Sequence, residues 1–277
     1  MNFPTLTKIS KFKYGNYEMK PSYKTNLKSG DGVLSVCYRC LSQFITEKSL
    51  ELHLEDCKTV PFKSIYEEND SLKISRITSL NLRQLLSQLG EMFIKTKTVS
   101  VDIERYEFYV LISDERIVGY FSRHMEFDAS LSCILVFPCF QRQGFGTFLI
   151  DFSQAPIFKS KVIKTTDQIL EESRKKIYIN DNELNDKLEC PNGPERPLSK
   201  AAIFLYRKYW KYKVIGAKTV KDISLRRNIS IEDAIIGLEL IGFDFKEWKM
   251  KNEKIDVEKP RLLKNQVVLC KKNYKIY

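Results

Sequence analysis

Residues 133–147 run CILVFPCFQRQGFGT and hold the strongest architectural signal in the chain. Together with the two residues before it, its start gives LSCILVFP, which reads as a buried strand that Pro138 closes. A turn containing Gly144 and Gly146 follows, and GTFLIDFS continues as an apolar helix. The two glycines allow a tight turn and close approach of a ligand to the backbone. Unpaired amide groups and the helix dipole then favour a pyrophosphate at the helix start, and Arg142 adds a charge-assisted contact. This is no P-loop, because no Gly-Lys-Ser/Thr follows, and it is not G-x-G-x-x-G within a βαβ unit. Taken alone, the same residues also read as a plain glycine turn.

The flanks supply the rest of a mixed sheet. YEFYVLISDERIVGYFSR reads as strand–turn–strand, with Asp114-Glu115-Arg116 separating two runs rich in β-formers. Residues 8–35 alternate aromatic and polar positions, which predicts short strands and turns. His124 is expected at a strand end or in a loop. Residues 154–190 are rich in Lys and Glu and poor in large apolar residues, so they read as a surface insertion, partly helical or disordered. GPERPLSKAAIFLYRKYW opens with turn residues and goes on as an amphipathic helix. TVKDISLRRNISIEDAIIGLELIGF predicts two short helices, the second capped by Ser230 with Asp233 at the acidic capping-box position.

At 277 residues and 43% apolar, the chain can bury one large or two modest cores. No apolar run is long enough to span a bilayer, and the N-terminus lacks an apolar signal core, so a soluble intracellular protein is expected. Seven cysteines then suit a reducing compartment better than a disulfide framework. The net charge is +11, and residues 246–277 carry ten Lys or Arg against four acids. Such a surface attracts phosphates, whether of nucleic acid, an anionic membrane or a phosphorylated cofactor. Charge alone does not choose.

Cys37, Cys40, His53 and Cys57 give C-x2-C-x12-H-x3-C. Two thiolates on a tight knuckle, with an imidazole and a thiolate one helical turn apart, can surround one Zn2+ tetrahedrally. The helical spacing of EKSLELHLEDC puts His53 and Cys57 on one face. Glu47, Glu51, Glu55 and Asp56 make that helix acidic, which opposes contact with a DNA backbone. Four protein ligands leave no open position, so the zinc is read as structural.

Together these segments resemble the MYST histone acetyltransferases over nearly the whole chain. FKYGNYEMKPSY resembles the family's opening strands, and the C2HC finger follows at the expected place. RYEFYVLI, IVGYFSR, SCILVFP, QRQGFG, LIDFS, GPERPLS and YRKYW then occur in the family order. DISLRRNISIEDAIIGLELIG resembles its helix-turn-helix-like region. GPE, YEFY and the phenylalanine in ILVFP are similar to the fungal silencing-associated branch. The resemblance implies an N-acetyltransferase-like α/β (α+β) fold: a mixed central sheet with flanking helices, an N-terminal C2HC zinc finger and a C-terminal helix-turn-helix-like module. The expected divisions are 1–70 for the opening strands and finger, 71–212 for an acetyl-CoA-binding core with an insertion at about 155–190, and 213–277 for a helical basic module.

By position, the resemblance assigns the general base to Glu195 and the active-site cysteine to Cys133. Acetyl-CoA contacts fall on Ile134, Leu135, Val136, Gln141, Arg142, Gln143, Gly144, Phe145, Gly146, Thr147, Ser199 and Lys208, and the autoacetylated lysine on Lys97. Departures accompany it: Gln143 and Thr147 stand where Arg and Lys are usual, Lys208 where a serine is frequent, and Pro21 where an aromatic is. About 28 residues more than a short loop separate LIDFS from GPERPLS. The chemistry asks for a base, because a lysine with a pKa near 10.4 is neutral in only about one molecule in a few thousand at pH 7. Glu195 could serve if partial burial lifts it towards neutrality; its plain alternative is a surface carboxylate in a turn. Cys133 likewise could be a small apolar residue in a buried strand. Direct attack of lysine in a ternary complex is favoured over an acetyl-cysteine step.

The implied substrates are histone tails and nucleosomes, H4 first, with acetyl-CoA as cosubstrate and Zn2+ as a structural ion. The implied setting is the nucleus, in chromatin and transcription regulation, with further subunits of an acetyltransferase complex, non-specific DNA contact and no membrane. No reader module precedes the finger in this sequence, so chromatin targeting is expected from partners or the basic surface. The rival expectation is a catalytically weak scaffold subunit that keeps the fold.

Overall fold

The computed structural model describes residues 7–25, 27–29, 31–95, 102–125, 131–154, 193, 194, 196, 198–216 and 229–242. Lys97, Glu195, the insertion expected at 155–190 and the first of the two short helices expected near the C-terminus lie outside them.

The elements, in chain order, begin with β1 (Thr7–Lys8), β2 (Lys11–Tyr14), β3 (Tyr17–Met19), β4 (Lys28–Ser29), β5 (Val33–Val36), β6 (Gln43–Phe44) and α1 (Glu47–Asp56). Then come β7 (Ser64–Asn69), β8 (Leu72–Ile77), α2 (Leu80–Glu91), β9 (Tyr106–Ser113), β10 (Arg116–His124), β11 (Cys133–Val136) and α3 (Phe145–Ser153). The last are α4 (Lys200–Val214) and α5 (Ile231–Leu240). The result is a mixed α+β fold, with the zinc-finger cysteines near its N-terminus. Among the described residues, one compact unit comprises those up to Met125 with Ser132–Leu149, and the second comprises Leu131, 150–154 and those from 193 to 242.

In the first unit, five strands run in the order β11-β10-β9-β8-β7, and four in the order β3-β2-β5-β6. The five-stranded sheet is antiparallel throughout; the parallel pairing is between β2 and β5. Phe108, Val110 and Ile112 alternate along β9 with Tyr109 and Leu111, and all are buried, so both faces of the central strand are covered. β2 keeps strict alternation: Phe12 and Tyr14 are buried, while Lys11 and Lys13 bind Glu47 of α1 at 3.1 and 3.3 Å.

The β9–β10 connection is tighter than its three-residue separator suggested. Ser113 pairs with Arg116, so only Asp114 and Glu115 turn, both at positive φ (49° and 58°), as a two-residue hairpin turn requires. The Glu115 carboxylate accepts the Val60 N–H at 2.9 Å, and the Asp114 N–H donates to the Ser71 carbonyl at 2.8 Å. Those tertiary bonds hold a glutamate in a conformation it seldom adopts. His124 ends β10, buried, with its ring edge-on to Tyr106 at 4.8 Å.

In the second unit, Tyr206, Tyr209, Trp210 and Val214 form the buried stripe of α4, and Ala234 and Leu238 that of α5. Gly237 lets the two backbones approach: a Cβ there would lie 2.8 Å from the Trp210 carbonyl oxygen. Ser230 caps α5, accepting the Asp233 N–H at 3.0 Å. The Asp233 carboxylate meets Arg196 instead of closing the expected box, with Nη2 to Oδ1 at 3.0 Å. No helix among the described residues is long and apolar enough to cross a membrane.

Candidate functional site

The four candidate metal ligands converge. Their donor atoms all lie within 4.8 Å of one another, with Cys37 Sγ to Cys57 Sγ at 3.9 Å and Cys40 Sγ to His53 Nε2 at 3.3 Å. A tetrahedral zinc with Zn–S of about 2.3 Å and Zn–N of about 2.0 Å needs separations of roughly 3.8 and 3.5 Å. The donor set therefore fits Zn2+. Local structure places it. Thr46 caps α1 by accepting the Ser49 N–H at 3.1 Å, which starts the helix so that His53 falls in its last turn and Cys57 at its C-cap. The Arg39 N–H donates to Cys37 Sγ at 3.3 Å, and Phe44 packs on the His53 ring at 4.7 Å. A hydrogen bond from the Cys37 thiol, opposed by burial and helped by Ser42, pulls the Cys40 thiol down to about 4.

The finger is fastened to the rest of the first unit. The Ile117 N–H donates to the Tyr38 carbonyl at 2.8 Å, and the Tyr14 hydroxyl to the Ile117 carbonyl at 2.9 Å. Tyr38, inside the cysteine knuckle, covers Gly15 so closely that a Cβ there would fall 1.7 Å from the ring. Nothing in this arrangement leaves an open coordination position, so the metal centre is a strut.

The glycine turn stands on the same strut. After β11, Pro138–Phe140 form a single 3-10 turn, and α3 begins at Phe145. Phe137 and Phe140 are buried; Phe137 packs on Tyr14 at 4.4 Å and Phe140 on Tyr17 at 4.9 Å, edge-on. The exposed residues Gln141 to Gly144 cross over this aromatic base. Arg142 has φ 66° and Gly144 φ 90°, while Gly146 lies within the first turn of α3. The reversal is thus made by Gly144 and by an arginine held in the left-handed region, a strain that clusters at functional sites. The Phe148 N–H bonds to the Gly144 carbonyl at 3.1 Å, so the helix starts there and its first amide groups face outward, as at any helix N-terminus. Arg142 is the only charged residue in 133–147.

β11 is an edge among the described residues, with β10 on one side and no strand on the other. The Phe137 N–H donates to the Val118 carbonyl at 3.0 Å. Antiparallel alternation then turns the main-chain groups of Ile134 and Val136 away from β10, along the open edge. The Gln141 Nε2 takes one of them, donating to the Val136 carbonyl at 3.0 Å. Cys133 and Leu135 point the opposite way: Cys133 is 7% exposed, with its sulfur 3.9 Å from the Tyr120 hydroxyl. Burial raises the Tyr120 phenol well above its ordinary range, so it stays protonated beside the sulfur.

Of the remaining site residues, Ser199 caps α4, its oxygen accepting the Ala202 N–H at 3.2 Å, and Lys208 is exposed on the same helix. Pro194, the residue before Glu195, forms a parallel bridge with Leu131. Three features escaped the sequence reading. Helix α2 buries Leu85, Leu86 and Leu89, and its helical apolar spacing was the available signal. Gly119 of β10 lies against the Leu135 carbonyl, which a glycine inside a strand hints at. The Arg196–Asp233 pair joins residues 37 positions apart, with no local signal.

The sequence is similar to those of known proteins. Residues 59–180 match the model of the MOZ/SAS family. The chain is 28% identical to the histone acetyltransferase MOF of Drosophila melanogaster over 267 residues, 88% of this chain and 29% of that protein. It is 28% identical to the histone acetyltransferase mst2 of Schizosaccharomyces pombe over 90% of this chain and 59% of that protein. It is 29% identical to histone acetyltransferase of the MYST family 2 of Arabidopsis thaliana over 87% of this chain and 53% of that protein. The chain thus spans less than two thirds of the length of each of these relatives.

Proposed function

We propose that the chain is an acetyltransferase of the MYST, or MOZ/SAS, type and that it transfers acetyl from acetyl-CoA to lysine side chains of histone tails, H4 first. The observation that carries this reading is the glycine turn, with Arg142 and Gly144 at positive φ, between an edge strand of the described residues and a helix N-terminus. The outward amides at the start of α3, with Arg142, would hold the pyrophosphate of acetyl-CoA. The edge-facing main-chain groups of Ile134 and the N–H of Val136 would take the amide-bearing arm, as an added strand would. Residues Gln141 to Thr147, Ser199 and Lys208 complete the cosubstrate contacts in this proposal. Zn2+, held by Cys37, Cys40, His53 and Cys57, supplies rigidity alone.

Glu195 serves as the base. It takes a proton from the incoming ammonium group; the amine nitrogen bonds to the acetyl carbonyl carbon, the thioester C–S bond breaks, and CoA leaves as a thiolate that takes up the second proton shed by the nitrogen as the amide forms. Cys133 is a packing neighbour of Tyr120 in this route, a role its burial supports. Lys97 is the autoacetylation site. The division of labour follows the sequence: finger strut in 1–70, transfer core in 71–212, basic module in 213–277. Histones and nucleosomes as partners, other subunits of a complex, non-specific DNA contact and a nuclear location belong to the same proposal.

The test is acetyl transfer from labelled acetyl-CoA to core histones and an H4 tail peptide by the purified chain. Glu195→Gln should lower turnover at pH 7 by roughly two to four orders of magnitude, with partial recovery as pH rises. A near-normal rate for that variant would sink the base assignment. Loss of two basic residues at Gln143 and Thr147 favours one second reading, a scaffold that binds but scarcely turns over. Intact acetyl-CoA binding without transfer by the unaltered chain would select it.

A further inference from the structure

The finger carries a buried cation that its ligand set does not use. Three thiolates and a neutral imidazole around Zn2+ leave one net negative charge, which is costly in a partly buried site unless a cation offsets it. From Val33 to Thr46 the only charged residue is Arg39, and α1 then brings Glu47, Glu51, Glu55 and Asp56 against Lys48. Arg39 sits in the knuckle between Cys37 and Cys40, its main-chain N–H donating to Cys37 Sγ at 3.3 Å. Its guanidinium carbon lies 4.7 Å from the centre of the Tyr38 ring, as a cation over an aromatic face does. That ring is itself fixed, packed closely on Gly15, and the Tyr38 carbonyl accepts the Ile117 N–H. The Arg39 Nε is buried and, among the described residues, meets no hydrogen-bond acceptor. A buried N–H without an acceptor is costly, so its place asks for a reason. The nearby sulfurs supply one: burial raises the Cys57 thiol, and the Arg39 charge works against that rise.

We propose that Arg39 is the charge partner of the zinc centre: held on the Tyr38 ring, its guanidinium offsets the negative charge of the thiolate-bound ion and sets how tightly the finger keeps it. The inference rests on the reading of Cys37, Cys40, His53 and Cys57 as a zinc site. Lys48, on the exposed face of α1, does not serve in its place, because water and salt screen its charge.

The experiment measures zinc affinity and zinc release for the full chain by competition with a chromogenic chelator, together with the Tm of the zinc-loaded protein. Cobalt(II) absorption checks that each variant still presents its thiolates to the metal. Arg39→Met keeps a side chain of similar length on Tyr38 and removes the charge; Arg39→Gln removes the charge and keeps a donor. Each should raise the zinc Kd about 10- to 100-fold, the usual worth of a group just outside the ligand shell, with release faster by a similar factor. Arg39→Lys should recover most of the affinity, because the charge is restored. Lys48→Gln removes the same charge from an exposed position and should leave the zinc Kd within about threefold of the unaltered chain. If Arg39→Met binds zinc within about threefold of the unaltered chain, or Lys48→Gln loses as much as Arg39→Met, the charge-partner role is wrong. It is equally wrong if Arg39→Lys is as weak as Arg39→Met. A lower Tm for zinc-loaded Arg39→Met with an unchanged zinc Kd overturns the proposal in favour of packing on Tyr38 alone. An unaltered chain that takes up no stoichiometric zinc overturns the metal reading itself, and the proposal with it.

Discussion

Gly119→Ala tests how β11, the strand proposed to hold the cosubstrate, is set in place. Gly119 follows a register shift in β10 and pairs with Val136 of β11. A Cβ built on it lies 2.5 Å from the Leu135 carbonyl oxygen and 3.1 Å from the Val136 Cα. An ordinary C···O contact is about 3.3–3.6 Å, so β11 must retreat by roughly 0.8–1 Å. Both obstructing atoms are backbone, and neither can rotate away. In an open strand, Gly→Ala would stabilise by about 0.4–1 kcal/mol through the unfolded chain. Overpacking reverses the sign, to a net loss of about 1–3 kcal/mol, or a Tm roughly 3–8 °C lower. The displaced strand carries the open-edge groups of Ile134 and Val136, so acetyl-CoA affinity should fall as well, by roughly tenfold or more. Differential scanning calorimetry and isothermal titration would read the two effects. A Tm that rises or stays within a degree, with unchanged affinity, would refute the close-approach argument.

Three further outcomes follow from the same geometry. Cys40→Ser should remove stoichiometric zinc by metal analysis and cost roughly 3 kcal/mol or more of stability; because the knuckle buttresses Tyr14 and Phe137 beneath the glycine turn, acetyl-CoA affinity should drop with it. Gly144→Val puts a β-branched residue at φ 90° and fills the phosphate approach, so acetyl-CoA binding should weaken by about a hundredfold or more in calorimetry while the far-ultraviolet spectrum is kept. Burial, countered by Arg196, raises the Asp233 carboxyl from 3.8 to about 6. A raised carboxyl contributes stability that is present below pH 3.8 and lost as pH climbs through about 6. The shift corresponds to about 3 kcal/mol. Denaturant titrations at pH 4 and pH 7 should therefore show Asp233→Asn gaining roughly 2–2.5 kcal/mol on the unaltered chain between the two, part of the effect lying below pH 4; a constant difference would contradict it.

The sequence by itself determined whatever depends on neighbours along the chain. The spacing of Cys37, Cys40, His53 and Cys57 picked out four donors that converge, because a knuckle and one helical turn fix where they point. The strand–glycine–helix order of 133–147 located the turn, and side-chain chemistry at Ser230 marked the start of α5. Tertiary structure decided what depends on residues far apart. Glu115 holds a positive φ because Val60, 55 residues away, donates to it, and no propensity for glutamate forecasts that. Gly119 is required by a carbonyl on the next strand. The aromatic base under the glycine turn brings Tyr14 and Tyr17 to Phe137 and Phe140 across more than a hundred residues. Arg196 finds Asp233 only once α4 and α5 have packed backbone to backbone at Gly237. Local chemistry fixes which groups are offered; burial, which follows from the whole chain's collapse, decides which of them meet.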